Sequence, residues 1–334
     1  MENVATRNES RPQVLVLGNG ILRAFEGAAG SCQDLENLIY DAANVNNSSR
    51  VRGRTIPFPM RVAASLAGSK DRHAALKKAI EQVKKAPSKG CPATKELLCN
   101  TEIVAESFFN KLLNAGFSDI ITTNYSYEIE KVLCGKCPKT GNETGNFYRD
   151  FIGPKNFSIV EHKFKIWKYH RSKDETTRIW HVHGEYLRPN SIIFEYSDYC
   201  SFLARVRDYP QPKQEELVNN PERPTPWVQS FFNGDVYILG FGAAFGESVF
   251  WWLMERKKFR EWPAGKVYFY EPTFTDASMK EEQEDRRAMF RAFGAECRDL
   301  GVRRSKDSDF KSFYKKASKD ICRELKDRKA IDAE

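Results

Sequence analysis

The sequence predicts an α/β fold: a parallel sheet with helices on both faces and a helical insertion. Three observations carry the prediction. Short, continuous apolar runs at Val14 to Leu17, Asp119 to Thr122, Val236 to Leu239 and Lys266 to Tyr270 lack the alternation of half-exposed strands, as strands buried on both faces do. Segments of helical periodicity separate them. Each run stops at Gly, Asn or Glu, residues that suit the chain where it leaves a sheet edge.

Val14 to Leu17 ends at Gly18-Asn19-Gly20, a buried strand feeding a glycine turn, which is how a Rossmann-like nucleotide-binding fold starts. From 35 to 116 the pattern turns helical. Ala75, Leu76, Ile80 and Val83 share one face and Ile103, Val104, Phe108, Leu112 and Leu113 another, with Pro57, Pro59, Pro87 and Pro92 as punctuation. This stretch is expected to be an insertion. Asp119 to Thr122 runs into Thr122-Thr123-Asn124-Tyr125 and then a helix carrying Ile129, Val132 and Leu133. Residues 134–176 form a variable excursion, turn-rich over Lys136 to Asn146 and aromatic and basic over Phe147 to His170, to which both a surface loop and a hairpin fit.

Arg178 to His183 resumes strand character, Ser191 to Phe194 adds a short strand, and Gln211 to Pro226 is a polar, proline-rich loop. Val236 to Leu239 closes on Gly240-Phe241-Gly242 and precedes a helix with Phe250, Trp251, Trp252 and Leu253. Lys266 to Tyr270 ends at Glu271-Pro272. Over 305–334, Phe310, Phe313, Tyr314, Ala317, Ile321 and Leu325 recur at helical spacing and predict a closing amphipathic helix. The chain is expected to be one domain over 1–334.

Bulk properties exclude several function classes. With 41% hydrophobic residues in 334, the chain can bury a full core, and no apolar run approaches the ~20 residues of a membrane helix. Met1 to Gln13 is polar, so a cytoplasmic protein without membrane contact is expected. The net charge is +8, but bases are interleaved with acids such as Asp307, Asp309, Asp320, Glu324 and Asp327, so direct nucleic-acid binding is not expected. Eight scattered cysteines in a chain this long imply free thiols. Cys134 and Cys137 form a C-x-x-C without a second pair, and His162 and His170 are too far apart to complete it, so no metal site is expected.

In open parallel sheets ligands bind beyond the carboxyl ends of the strands, and four motifs fall there. Trp180-His181-Val182-His183-Gly184 places two histidines at alternate positions of a strand, so both are expected on one face, a suitable place for a general base. For His181 a core role, bonding a backbone carbonyl or fixing a neighbour's tautomer, fits better than a second catalytic one. Gly18 and Gly20 match the first two positions of a dinucleotide fingerprint, and the third is Arg23, which suits a phosphate directly. Asn124 offers both a donor and an acceptor, though Asn is also common at strand ends. Phe241, Phe245, Trp251 and Trp252 fit stacking on an adenine less well than burial against the sheet. Tyr196, Asp198 and Tyr199 suit a roof over the pocket.

In this order and spacing, the strand ends at Gly18-Asn19-Gly20, Thr122-Thr123-Asn124-Tyr125, His181-Val182-His183-Gly184 and Gly240-Phe241-Gly242 resemble the sirtuin-like family. The resemblance runs from about Val14 to about Gly301 and is nearest to bacterial sirtuin-like effectors that consume NAD+ in antiphage defence. It implies that Asn124 and His183 are the catalytic pair and that Gly18, Asn19, Gly20, Gly240 and Gly242 line the NAD+ site. Arg23, Thr123, His181 and Phe241 join them as candidate NAD+ contacts. The segment from Gly184 to Gly234 holds only Cys200, so the four-cysteine zinc module of protein-deacylating sirtuins is missing. Their Gly-Ile-Pro-x-Phe-Arg loop is replaced by Phe25-Glu26-Gly27. Deacylation is therefore disfavoured.

The implied reaction is hydrolysis of NAD+ to nicotinamide and ADP-ribose, held off until self-association or an accessory defence protein releases it. A non-catalytic sensor of NAD+ or ADP-ribose is the alternative.

Overall fold

The computed structural model describes residues 11–25, 32–51, 56–67, 71–85, 101–134, 157–162, 165–171, 176–186, 188–208, 227–244, 247–259, 265–305 and 307–331. β1 (Gln13–Leu17) leads through α1 (Gly20–Arg23), α2 (Cys32–Ala42), α3 (Phe58–Ser65), α4 (Arg72–Lys85), α5 (Thr101–Ala105) and α6 (Ser107–Leu113) to β2 (Asp119–Thr122). Then come α7 (Glu128–Cys134), β3 (Phe157–His162), β4 (Lys165–Arg171), β5 (Thr176–His181), α8 (Tyr196–Arg207), α9 (Trp227–Asn233) and β6 (Asp235–Leu239). α10 (Ser248–Lys258), β7 (Val267–Tyr270), β8 (Thr273–Phe274), α11 (Ala277–Ala292), β9 (Ala295–Arg298), β10 (Arg303–Arg304) and α12 (Asp307–Ile331) complete the chain.

The main sheet has the order β3-β4-β5-β2-β1-β6-β7-β9. From β5 to β9 all neighbours pair in parallel, while β3 and β4 add an antiparallel hairpin beside β5. Numbered along the chain, the parallel strands lie in the order 3-2-1-4-5-6, the Rossmann-like arrangement. Chain direction across the sheet therefore reverses between β1 and β6. Leu17 pairs with both Thr122 and Leu239, and Thr122 with His181, so the carboxyl ends of β5, β2, β1 and β6 form one aligned edge.

The runs do not alternate because both faces are covered. Val14, Val16, Ile121, Trp180, Val236 and Ile238 pack on one side with Phe202, Trp227, Phe231 and Phe250 of α8, α9 and α10. Leu15, Leu17, Ile120, Ile179, Tyr237 and Leu239 pack on the other with residues of α6 and α12, among them Phe109, Leu112, Phe313, Ala317 and Ile321. Each such fully buried side chain contributes about 1.5–3 kcal/mol. α2, α3 and α4 form a core of their own around Ile39, Tyr40, Val62 and Leu76, and it extends to Tyr127, Tyr186 and Phe194 beside the site edge. Among the described residues no helix is long and apolar enough to cross a membrane.

Ser191 to Phe194 is not a strand. Pro189–Ser191 forms a single 3-10 turn and the rest is an extended segment held by Ile193 N donating to His183 O at 2.9 Å. The Ser191 hydroxyl accepts from Glu185 N and donates to Arg188 O, a local bonding scheme that competes with a strand ladder. The expected strand Arg178 to His183 likewise stops at His181, with the chain turning through Val182 and His183. Gly184, at φ +91°, is required here: a Cβ would lie 2.3 Å from Ser191 O. Cys137, Phe245, Pro87, Pro92, the Glu26-Gly27 continuation, Lys136 to Asn146 and the loop Gln211 to Pro226 lie outside the described residues.

Candidate active site

The glycine turns after β1 and β6 interlock at the switch point. Gly18 N donates to Leu239 O at 3.0 Å and Gly20 N to Gly240 O at 2.7 Å. A Cβ on Gly18 would lie 2.4 Å from Phe241 Cα, and one on Gly20 would lie 2.7 Å from Gly240 O and 2.8 Å from the Tyr314 hydroxyl. Gly240 has φ +68°. These three glycines thus permit one loop to pack on the other, in addition to whatever room they leave for a ligand. Gly242 is different, because a Cβ there meets nothing within 4 Å.

Asn19 precedes α1 without a side-chain cap bond, and its carbonyl accepts from Leu22 N and Arg23 N at 3.1 Å each. The Arg23 side chain is exposed at the end of that helix. Phe241 turns its ring into the core, 4.5 Å from Phe250, so it meets the edge with its backbone. Trp251 and Trp252 are likewise packed, on Phe290 and Phe232 respectively. Glu271, at the end of β7, is engaged by Arg286 and Arg287 of α11.

Asn124 is held by a relay that crosses three strands. The Thr122 hydroxyl donates to Leu17 O at 3.0 Å and accepts from Asn124 N at 3.0 Å, and Thr123 N reaches Leu17 O at 3.4 Å. His181 Nδ1 lies 2.9 Å from Asn124 O; a carbonyl only accepts, so Nδ1 carries the proton. His181 Nε2 lies 2.8 Å from Glu130 Oε1 of α7. With its backbone anchored, Asn124 is 6% exposed, and its side-chain Oδ1 has no hydrogen-bond partner among the described residues. A buried acceptor in that condition costs about 1–3 kcal/mol, which makes it a candidate ligand contact.

The two histidines do not share a face. His181 is fully buried against Tyr127 and Glu130 on the α7 side. His183 lies against α8, with its ring 5.3 Å from Tyr199 and 6.4 Å from Phe202. Strand alternation ends with β5, and the turn after it carries His183 to the side where Trp180 and Val182 pack. His181 is therefore a brace for Asn124 rather than a group at the edge. Tyr199 flanks the site as a roof residue would, Asp198 caps α8, and Tyr196 is exposed.

Glu247 escapes sequence reasoning. A glutamate opening a helix reads as an ordinary first-turn acid, and the residue is at the N-cap of α10. Its Oε2 lies 3.5 Å from His183 Nε2, at the outer limit of hydrogen bonding. Burial pushes this carboxyl up to about 8. Among the described residues no group of three or more His, Cys, Asp or Glu is arranged to hold a metal ion.

Residues 118–243 match the family model described as a SIR2-like domain. No curated protein sequence matches the chain. The matched segment contains Asn124, His183 and Gly240-Phe241-Gly242, and Gly18-Asn19-Gly20 precedes it. Over that segment the chain is similar to the SIR2-like family, and the sheet that carries the segment is a Rossmann-like α/β fold.

Proposed function

We propose that the protein binds NAD+ and hydrolyses its N-glycosidic bond to nicotinamide and ADP-ribose, with Asn124 and His183 as the catalytic pair. The observation that carries this reading is the buried Asn124 Oδ1 at the end of β2, which has no hydrogen-bond partner among the described residues and lies on the same sheet edge as His183 and the interlocked glycine turns. The SIR2-like match supports NAD+ as the ligand class. The residues fit a dinucleotide: glycine turns at the switch point of the sheet, open space at Gly242 and an exposed arginine after the first turn.

In NAD+ the nicotinamide is already a cationic leaving group, so the site must orient more than activate. Asn124 Oδ1 accepts from a ribose hydroxyl or from the attacking water. As the water oxygen bonds C1′, the C1′–N electron pair leaves with neutral nicotinamide and His183 receives the water proton. Arg23 is placed to meet a phosphate by side-chain charge. In a cytoplasmic antiphage effector, this activity is held off until self-association or an accessory defence protein releases it.

The test is nicotinamide release from NAD+ by the purified protein, alone and with the proteins encoded beside it. Asn124→Ala and His183→Ala should each abolish release. Release that survives His183→Ala would misplace the site, and NAD+ binding without release under any condition would make the protein a sensor.

A further inference from the structure

The loop after β6 brings a carboxyl from the far side of the switch point to the end of β5. In the sheet, β2 and β1 separate β5 from β6, yet Glu247 Oε2 lies 3.5 Å from His183 Nε2. Both side chains are largely withdrawn from water, at 20% and 4% exposure, and Glu247 Oε2 makes no hydrogen bond among the described residues. The imidazole also faces the Tyr199 phenol and Phe202 of α8. Nearby acids on the packed elements have partners elsewhere: Glu195 pairs with Arg72, Asp198 caps α8, and Glu130 meets His181.

We infer that Glu247 is the positioning partner of His183: the two hold one proton between them, and the imidazole acts as a base only once the pair has given it up. The inference rests on the hydrolase reading above for its consequence, but not for its chemistry. Gaining one proton takes the pair from net −1 to neutral, which burial favours. Losing the carboxylate leaves a buried imidazole without that negative charge beside it, and burial disfavours the charged form of the ring. The pair must therefore take up its proton at higher pH than His183 does without the Glu247 carboxylate. In the reaction, the proton of the attacking water passes to His183 while the C1′–N pair departs with nicotinamide, and the Glu247 carboxylate then faces an imidazolium. Water and NAD+ yield nicotinamide, ADP-ribose and one proton, which the pair returns to solvent.

The experiment is an NMR titration of the His183 ring in the full-length protein, as wild type, Glu247→Gln and Glu247→Asp. The midpoint should fall by more than about one pH unit in Glu247→Gln, an affinity change of about tenfold or more for the proton. In Glu247→Asp, whose carboxylate is one methylene further off, it should lie between the two. The acid limb of nicotinamide release should move in the same direction. Coincident midpoints in the variants that fold would overturn the inference, and Glu247→Asp carries the comparison if Glu247→Gln does not fold. A shifted midpoint with no release at any pH would leave the pair standing and remove the hydrolase reading instead.

Discussion

The two edges of the sheet differ in how they handle most of their buried polar groups, although Gln13 Oε1 at the amino edge also lacks a hydrogen-bond partner among the described residues. At the amino edge, fully buried Asp119 accepts from Trp180 Nε1 at 2.8 Å, Arg178 at 2.6 Å and the Ser118 hydroxyl at 3.1 Å. Asp235 accepts from Lys266 N at 2.6 Å and pairs with Arg328 of α12. Buried Lys257 donates to the carbonyls of Phe231, Phe232 and Gly234, closing the end of α9. At the carboxyl edge, Asn124 Oδ1 and Glu247 Oε2 are buried without a hydrogen bond among the described residues. The amino edge stabilises the fold, whereas under the proposed function the unsatisfied groups of the carboxyl edge are the ones that meet the ligand.

Substitutions at the two edges should separate stability from activity. The largest effect is on turnover: Asn124→Ala and His183→Ala should lower nicotinamide release by about 10²–10⁴-fold. Asn124→Ala should at the same time shift unfolding free energy by less than about 1 kcal/mol in urea, because its side-chain oxygen has no hydrogen bond to lose among the described residues. Asp119→Ala should do the reverse, costing about 3–5 kcal/mol in the same titration because Arg178 and Trp180 Nε1 lose their buried acceptor. NAD+ affinity measured well below its melting temperature should be unchanged. If Asp119→Ala silenced the site while leaving stability intact, the division between the edges would fail.

His181→Ala tests the brace between the edges. It should cost about 1–3 kcal/mol by removing the buried contacts of His181 with Glu130 and the Asn124 carbonyl, and slow release by loosening Asn124. The smallest contrast lies within one turn. Gly240→Ala, at φ +68° with its Cβ 2.6 Å from Ile21 N, should cost about 1–3 kcal/mol in thermal melts. Gly242→Ala, with nothing within 4 Å, should stay within about 0.5 kcal/mol. A marked loss of NAD+ binding in Gly242→Ala without a change in melting would locate the ligand against that loop.

The parallel strands were legible because burial on both faces leaves an unbroken apolar run, as at Val14 to Leu17 and Val236 to Leu239. The same signal misled at Ser191 to Phe194, where the apolar residues line an extended loop under α8 and the local Ser191 bonds replace a ladder. The excursion over 134–176 contains the β3–β4 hairpin, which its aromatic and basic composition did not distinguish from a surface loop. At the carboxyl edge, the strand-end positions of Asn124 and His183 were legible by motif. The opposed facing of His181 and His183 was not, because alternation holds only while the strand lasts.

By itself the sequence determined the covered parallel sheet and the strand ends at its carboxyl edge, since hydrophobic periodicity and turn residues are local properties of the chain. It also named an amide, imidazoles, an arginine and glycine turns as candidate groups. Only the tertiary structure decided which of two nearby histidines braces Asn124 and which lies against α8, and it alone brought Glu247 from beyond β6 to His183 beyond β5. Those outcomes depend on a three-residue turn and on a crossing of the sheet edge. The contacts involved join residues up to 64 positions apart, here Glu247 and His183, and no periodicity along the chain encodes them.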